Sequence, residues 1–307
     1  MKDLKFIGIY GPTATGKTQL ALSLAKKYPI EIISVDSALV FKDMDIGTAK
    51  PSKDEQASVP HHLIDIICPN ETYTVGQFCL DSEILIKEIL SRGKIPLLVG
   101  GTGLYFEALL KGYTHLPVIS DADHQKAINM MAEKGLKGAH QYLLDVDSRF
   151  CGINENDRQR IHRALSIYLS KGEIIYDYWD KQTTGQNGTI LTIRPTCRET
   201  LKVRINKRLG KMLDAGLIDE TKMLIKKYNL NQDHNSMRAV GYRQVYEHLV
   251  SRESIDQLRL KIYHATCQYA KRQTTWLNRC QSSTYFESCD EKALKNLELL
   301  LGNFPKT

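Results

Sequence analysis

A chain of 307 residues, 42% hydrophobic and 25% charged, can bury a large core, as one large domain or a core domain carrying an insertion, and is too evenly mixed to be a disordered segment. Its net charge of +7 and pI near 8.9 permit a polyanionic partner without requiring one, so the placement of the charges has to decide. Seven scattered cysteines without a Cys-x-x-Cys pair (Cys68, Cys79, Cys151, Cys197, Cys267, Cys280 and Cys289) argue against a disulfide framework and read as reduced thiols.

Met1-Lys2-Asp3-Leu4 leads straight into an apolar run, leaving no room for a signal peptide, and no run reaches membrane-spanning length. The expectation is a cytoplasmic protein with no membrane partner. Phe6-Ile7-Gly8-Ile9-Tyr10 reads as a buried strand and is followed by Gly11-Pro12-Thr13-Ala14-Thr15-Gly16-Lys17-Thr18. Two glycines five apart let successive N–H groups converge on one anion; Lys17 adds a point charge, and the Thr18 hydroxyl can ligate Mg²⁺. A helix over residues 17–27 aims its positive end at the same place. The site binds a phosphate; whose phosphate, and whether it is transferred, the loop alone does not say.

Residues 30–35 form a second strand, 75–91 a helix and 95–99 a third strand, the rhythm of a parallel sheet with crossover helices. Asp36 ends the second strand, where a doubly wound sheet opens onto its crevice; it can act as a general base or reach Mg²⁺ through water, or Asp36-Ser37 simply caps a turn. The third strand ends Val99-Gly100-Gly101-Thr102-Gly103, without the acid of a motor or switch NTPase; its glycines allow close backbone approach or form a tight turn. His61 and His62 are adjacent and point opposite ways on a strand with no third ligand at fitting spacing, which favours structural or substrate-lining histidines over a metal site.

Residues 115–188 turn polar and helical, with helices expected over 122–134, 138–145 and 155–170, and read as an insertion between core parts 1–114 and 189–307. A strand over 189–193 resumes the sheet, followed by helices over 199–215, 219–228, 242–250 and 254–278. Basic residues recur at helical spacing in three places: Arg160 with Arg163; Arg204, Arg208 and Lys211; and Lys261, His264, Gln268, Lys271, Thr275 and Arg279 opposite an apolar side that includes Ile255, Leu258, Ile262, Tyr269 and Leu277. One such face is ordinary solvated surface; three beside a phosphate loop raise the case for a nucleic acid.

Six stretches, taken in order, closely resemble the tRNA dimethylallyltransferases (tRNA isopentenyltransferases) of bacterial type. They are residues 11–18; Ile33-Ser34-Val35-Asp36-Ser37 with residues 44–51; Pro60-His61-His62-Leu63-Ile64-Asp65; Gly100-Gly101-Thr102-Gly103-Leu104-Tyr105; residues 157–165; and residues 268–276, with residues 238–243 also fitting. The resemblance implies an α/β fold, a P-loop parallel-sheet core with helices on both faces plus a helical insertion that grips the anticodon stem-loop. It implies transfer of a dimethylallyl group from dimethylallyl pyrophosphate to N6 of the adenosine 3′ of the anticodon (position 37). Asp36 then takes the N6 proton, and Lys17, Thr18 with Mg²⁺ and Arg208 stabilise the leaving pyrophosphate, with Arg238 a second choice. Asp36, Ser37, Ala38, Leu39, Thr102, His124, Gln159, Arg160, Ile161, His162, Arg163, Arg238, Arg243, Lys271, Arg272 and Gln273 are the implied tRNA contacts. The expected assembly is a monomer.

The chain departs from the family pattern at Ala38-Leu39-Val40-Phe41, where Arg-Gln-Val-Tyr is common, at Asp43 in place of a glycine, and at Asn278-Arg279-Cys280, which lacks a second aromatic. Two other readings stand beside it: a P-loop small-molecule kinase using ATP, with Asp36 activating a hydroxyl, and a non-catalytic nucleic-acid-binding module.

Overall fold

The computed structural model describes residues 5–195, 197–277, 284–287 and 291–305; Cys280, Cys289, Arg279 and the 278–280 departure lie outside them. Six strands, β1 (Phe6–Tyr10), β2 (Ile30–Val35), β3 (His61–His62), β4 (Ile95–Gly100), β5 (Gly188–Arg194) and β6 (Thr284–Glu287), form one sheet in the order β3-β2-β4-β1-β5-β6. Every pairing is parallel, Ile9 aligning with Val99 on one side and Leu191 on the other. β1, β2 and β4 are buried at every residue, the reason they read as continuous apolar runs rather than alternating ones.

The helices are α1 (Lys17–Ala25), α2 (Lys53–Ser58), α3 (Val75–Ser91), α4 (Gly103–Lys111), α5 (Asp121–Val146), α6 (Arg158–Lys171), α7 (Ile175–Trp179), α8 (Arg198–Asp214), α9 (Leu217–Tyr228), α10 (Tyr242–Ser251), α11 (Ile255–Leu277) and α12 (Glu291–Gly302). Local chemistry sets several of their starts. Thr74 and Ser52 each close a capping box, with Gln77 and Glu55 three residues on, and Asp157 accepts the Arg160 N–H to open α6. The expected helices over 122–134 and 138–145 belong to α5, which breaks at Gly135, where φ is 68°.

The chain divides into two compact units, residues 111–184 and the remainder. The insertion thus starts and ends earlier than the expected 115–188. The Tyr113 N–H donates to Thr183 Oγ1 (3.0 Å) and the Thr183 N–H to the Tyr113 carbonyl (2.9 Å), zipping the two chain ends, while Gly188 already pairs with Phe6 in the sheet. The insertion has its own core, built around Ala127, Leu143, Phe150, Ile161, Leu165 and Ile167. In the larger unit, one core lies on the sheet around Ile7, Ile9, Leu24, Leu97 and Leu191. Another joins Val40, Phe41 and Met44 to helices α8 to α11 through Leu209, Leu224, Tyr242 and Leu258.

Candidate active site

The site lies at the carboxyl ends of β1, β2 and β4, where a doubly wound sheet opens its crevice. A cleft of about 390 Å³ is lined there by Thr13, Lys17, Thr18, Asp36, Gly101 and Arg208, with an apolar wall from Leu39, Ile205, Leu209, Met212 and Ile262. The loop 11–18 follows β1 directly. Gly16 holds φ at 86° as the N-cap of α1 and, unlike Thr74 or Asp157, offers no side chain to the first turn, so the helix's positive end is left to an anion. Inside the loop, Thr15 Oγ1 and Lys17 Nζ each donate to the Pro12 carbonyl at 2.8 Å, and Ala14 adopts a left-handed conformation (φ 64°).

Asp36 follows β2 and is half-buried; its carboxylate accepts the Ala38 N–H at 2.9 Å and also the Leu39 N–H. Desolvation raises its pKa against those bonds and the charges of Lys17 and Arg208. Burial pushes the Lys17 ammonium down to about 8, with Asp36 opposing the shift and Arg208 adding to it. Arg208 donates to Thr13 Oγ1 at 3.2 Å, and burial lowers its pKa while Asp36 raises it. Two cations and one carboxylate thus converge on the phosphate loop. Thr18 is exposed at the cleft, and its hydroxyl with substrate phosphate oxygens fits a Mg²⁺ site, because Mg²⁺ needs few protein ligands when phosphates supply the rest.

The structure brings together Thr13, Lys17 and Thr18 of the loop 11–18 with Asp36, Ser37, Ala38, Leu39, Arg208, Arg238, Arg272 and Gln273 around this cleft. Thr102, just after β4, accepts the Ser37 N–H at 3.1 Å and hydrogen-bonds Tyr269, tying two loops to α11. Arg243 is exposed and lines a smaller depression with Arg238 and Tyr246. Lys271 and Arg272 are exposed on α11, with the Arg272 guanidinium 5.8 Å from the Tyr269 ring centroid.

Several expectations need correction. Of the α8 stripe Arg204, Arg208 and Lys211, Arg208 lines the cleft beside buried Ile205 and Leu209 rather than a solvated face. Ile161 has no exposed surface and packs in the insertion core, so its side chain is not a contact surface. Gln273 is buried, and its amide is spent on Thr13 and Gly101. Ile255, placed on the apolar side of α11, is 51% exposed. Within the insertion, Gln159 and Arg160 are exposed, while Arg163 is half-buried and reaches the Pro117 carbonyl (3.4 Å). His124 and His162 stack, with centroids 5.3 Å apart, and His124 Nδ1 meets Ser166 Oγ at 3.1 Å. His61 Nδ1 contacts the Val59 carbonyl and His62 Nε2 lies 2.7 Å from Glu31; among the described residues no cluster of three or more metal-ligating side chains exists.

Sequence reasoning missed the scaffold under the cleft. Glu220 on α9 accepts the N–H groups of Asp45, Ile46 and Gly47 and the Tyr242 hydroxyl, fixing the 44–51 segment. Lys50, almost wholly buried, joins Asp45 and Asp65. An acid i+3 from a capping residue is a local signal; an acid 173 residues from its partner N–H has none.

Two family models match, IPP transferase over residues 39–280 and isopentenyl transferase over residues 4–66. The chain is 45% identical over 280 residues to a tRNA dimethylallyltransferase of Aromatoleum aromaticum, covering 90% of this chain and 87% of that protein. It is 41% identical over 305 residues to one of Paraburkholderia xenovorans, covering 95% and 96%. The crystal structure of a full-length tRNA isopentenylpyrophosphate transferase from Bacillus halodurans superposes with a TM-score of 0.70 at 33% identity, covering 98% of this chain and 96% of that one. With its phosphate loop, its crevice carboxylate and these relatives, the chain belongs to the IPP transferase family.

Proposed function

We propose that this protein transfers the dimethylallyl group of dimethylallyl pyrophosphate to N6 of adenosine 37, next to the anticodon of tRNA, releasing pyrophosphate. The observation that carries the reading is the meeting of Lys17, Arg208 and Asp36 on one cleft with an apolar wall, in a chain whose relatives are named tRNA dimethylallyltransferases.

The loop 11–18 and the α1 N-terminus hold the pyrophosphate. The allylic carbon, its tail against Leu209, Met212 and Ile262, is attacked by N6; the C–O bond breaks toward pyrophosphate and its electron pair leaves with that group. Lys17 and Arg208 stabilise the charge that develops there, and Arg208 is preferred to Arg238 because it reaches Thr13 in the loop. Mg²⁺ bound at the Thr18 hydroxyl and the phosphates would supply further charge neutralisation. An adenine amine is a weak nucleophile, its lone pair delocalised into the ring, so proton removal during attack helps. Asp36 Oδ takes that N6 proton, and its raised pKa brings its basicity closer to the task.

The base leaves a loop whose bases are already partly unstacked, which keeps its extrusion inexpensive. Ser37, Thr102, Arg238, Arg243, Lys271 and Arg272 serve the nucleotides near the cleft; in the insertion His124, Gln159, Arg160, His162 and Arg163 serve the anticodon arm. The protein acts as a cytoplasmic monomer in this reading. An ATP-dependent kinase is not favoured, since family membership points to tRNA, as does the basic pair Arg160 and Arg163 on α6.

The test is transfer of label from dimethylallyl pyrophosphate to tRNA. Asp36→Ala is expected to retain tRNA affinity and lose about 10²–10⁴-fold in kcat. Full activity in that variant would remove Asp36 as the base, and ATP consumption without tRNA would favour the kinase.

A further inference from the structure

One residue of α11 touches three segments of the phosphate site at once, two through its side chain and one through its backbone carbonyl. The Gln273 Oε1 accepts the Thr13 N–H at 2.9 Å, its Nε2 donates to the Gly101 carbonyl at 2.8 Å, and its own backbone carbonyl accepts the Tyr10 hydroxyl at 3.0 Å. Tyr10 is the last residue of β1, Thr13 lies within the phosphate loop, and Gly101 is the first residue after β4. Gln273 is only 5% exposed, in a helix whose neighbouring Lys271 and Arg272 face solvent.

The chemistry of this joint is specific. A primary amide offers an acceptor and a donor on one planar group, so it satisfies an N–H and a carbonyl that would otherwise face each other's loops unpaired. Glutamate can accept but not donate when ionised, and a thioether of similar length does neither well. The approach also needs a residue without a side chain at 101: a Cβ there would stand 2.2 Å from Gln273 Nε2. Gly101 and Gln273, 172 residues apart, are therefore two halves of one contact.

We propose that Gln273 is a positioning residue for prenyl-pyrophosphate binding: it sets the curvature of the phosphate loop by holding Thr13 against the end of β4, and it does not contact tRNA. This rests on the reading of residues 11–18 as the pyrophosphate site.

The experiment measures, in wild type, Gln273→Met, Gln273→Glu and Gly101→Ala, the KM for dimethylallyl pyrophosphate, competitive inhibition by inorganic pyrophosphate, and tRNA affinity by filter binding. Gln273→Met keeps the buried volume and removes both bonds. It is expected to raise the KM and the pyrophosphate inhibition constant together by 10-fold or more while tRNA affinity changes less than 2-fold. Gln273→Glu is expected to be at least as impaired, since it lacks the donor and brings a negative charge toward the anion. Gly101→Ala, which leaves Gln273 in the chain but blocks its approach, is expected to shift the same two constants in the same direction. A 10-fold loss of tRNA affinity in Gln273→Met with an unchanged KM for the prenyl donor would overturn the proposal, as would unchanged constants throughout. Should Gln273→Met fail to fold, Gly101→Ala decides by the same readouts. If pyrophosphate does not compete with the prenyl donor in wild type and Lys17→Met leaves its KM unchanged, the reading of the loop itself fails instead.

Discussion

Lys17 of the phosphate loop and Asp36 line the same cleft with pKa values moved toward one another, the cation down to about 8 and the carboxyl upward, in each case chiefly because burial disfavours the charged form. Their opposite charges pull each back, so the ionised pair persists only over a middle pH range. The proposed chemistry needs Asp36 ionised and Lys17 protonated. The kcat/KM profile, which reports the free enzyme, is therefore expected to fall on the acid side with an apparent pKa above the ordinary 3.8 and on the basic side near 8. Pyrophosphate bound against Lys17 favours its protonated form, so the basic limb should move upward in the kcat profile. A kcat/KM profile that stays level to pH 10 would contradict the role of Lys17. At the same scale, Asp43 shows how a departure from the family pattern is accommodated. It holds a left-handed φ of 62°, a conformation open to Asp, and its carboxylate receives Lys227 (2.6 Å) and the Tyr228 hydroxyl (2.5 Å).

Among the elements, the two-residue strand β3 depends on a single buried acid. Glu31 on β2, 4% exposed, receives His62 of β3 at 2.7 Å, Arg92 at the end of α3 at 2.8 Å and Lys94 at 3.1 Å, clamping an edge strand, a helix end and the start of β4 together. Burial raises its pKa, but the bonds from Arg92, His62 and Lys94 outweigh that and hold it at about 2, below the ordinary 4.5. A carboxyl held low in the fold stabilises fully above its unfolded pKa, and that contribution disappears as pH falls toward the folded value. Glu31→Gln is expected to cost about 2–3 kcal/mol near neutral pH. The difference from wild type should shrink between about pH 4.5 and pH 2 in denaturant titrations; a pH-independent difference would refute the clamp. Long, strongly patterned elements were legible in the sequence: β1, β2 and α3 have the expected bounds, because an apolar run ended by Asp or Gly, or a helix opened by Thr74 and Gln77, is decided locally. The strand β6 was not, being four residues long and formed only because a neighbouring strand edge is available.

For the molecule as a whole the net charge is +7, and the proposed tRNA contacts include the exposed cations Arg160 in the insertion and Lys271 on α11. Each contact with a phosphate releases counterions, so tRNA affinity is expected to fall linearly in log–log with salt, and Arg160→Ala and Lys271→Ala should each lower that slope by about 0.7–0.9. A salt-insensitive affinity would argue against both. None of the helices among the described residues is long and apolar enough to cross a membrane. By itself the sequence determined the phosphate loop, the crevice carboxylate, the parallel core and the family, because each is written in contiguous residues whose spacing carries the chemistry. Only the tertiary structure decided that Ile161 is core and that Gln273 serves the phosphate loop rather than a surface. Helical periodicity assigns a residue to a face, but which face meets which neighbour depends on contacts between segments up to 263 residues apart, and no local pattern encodes them.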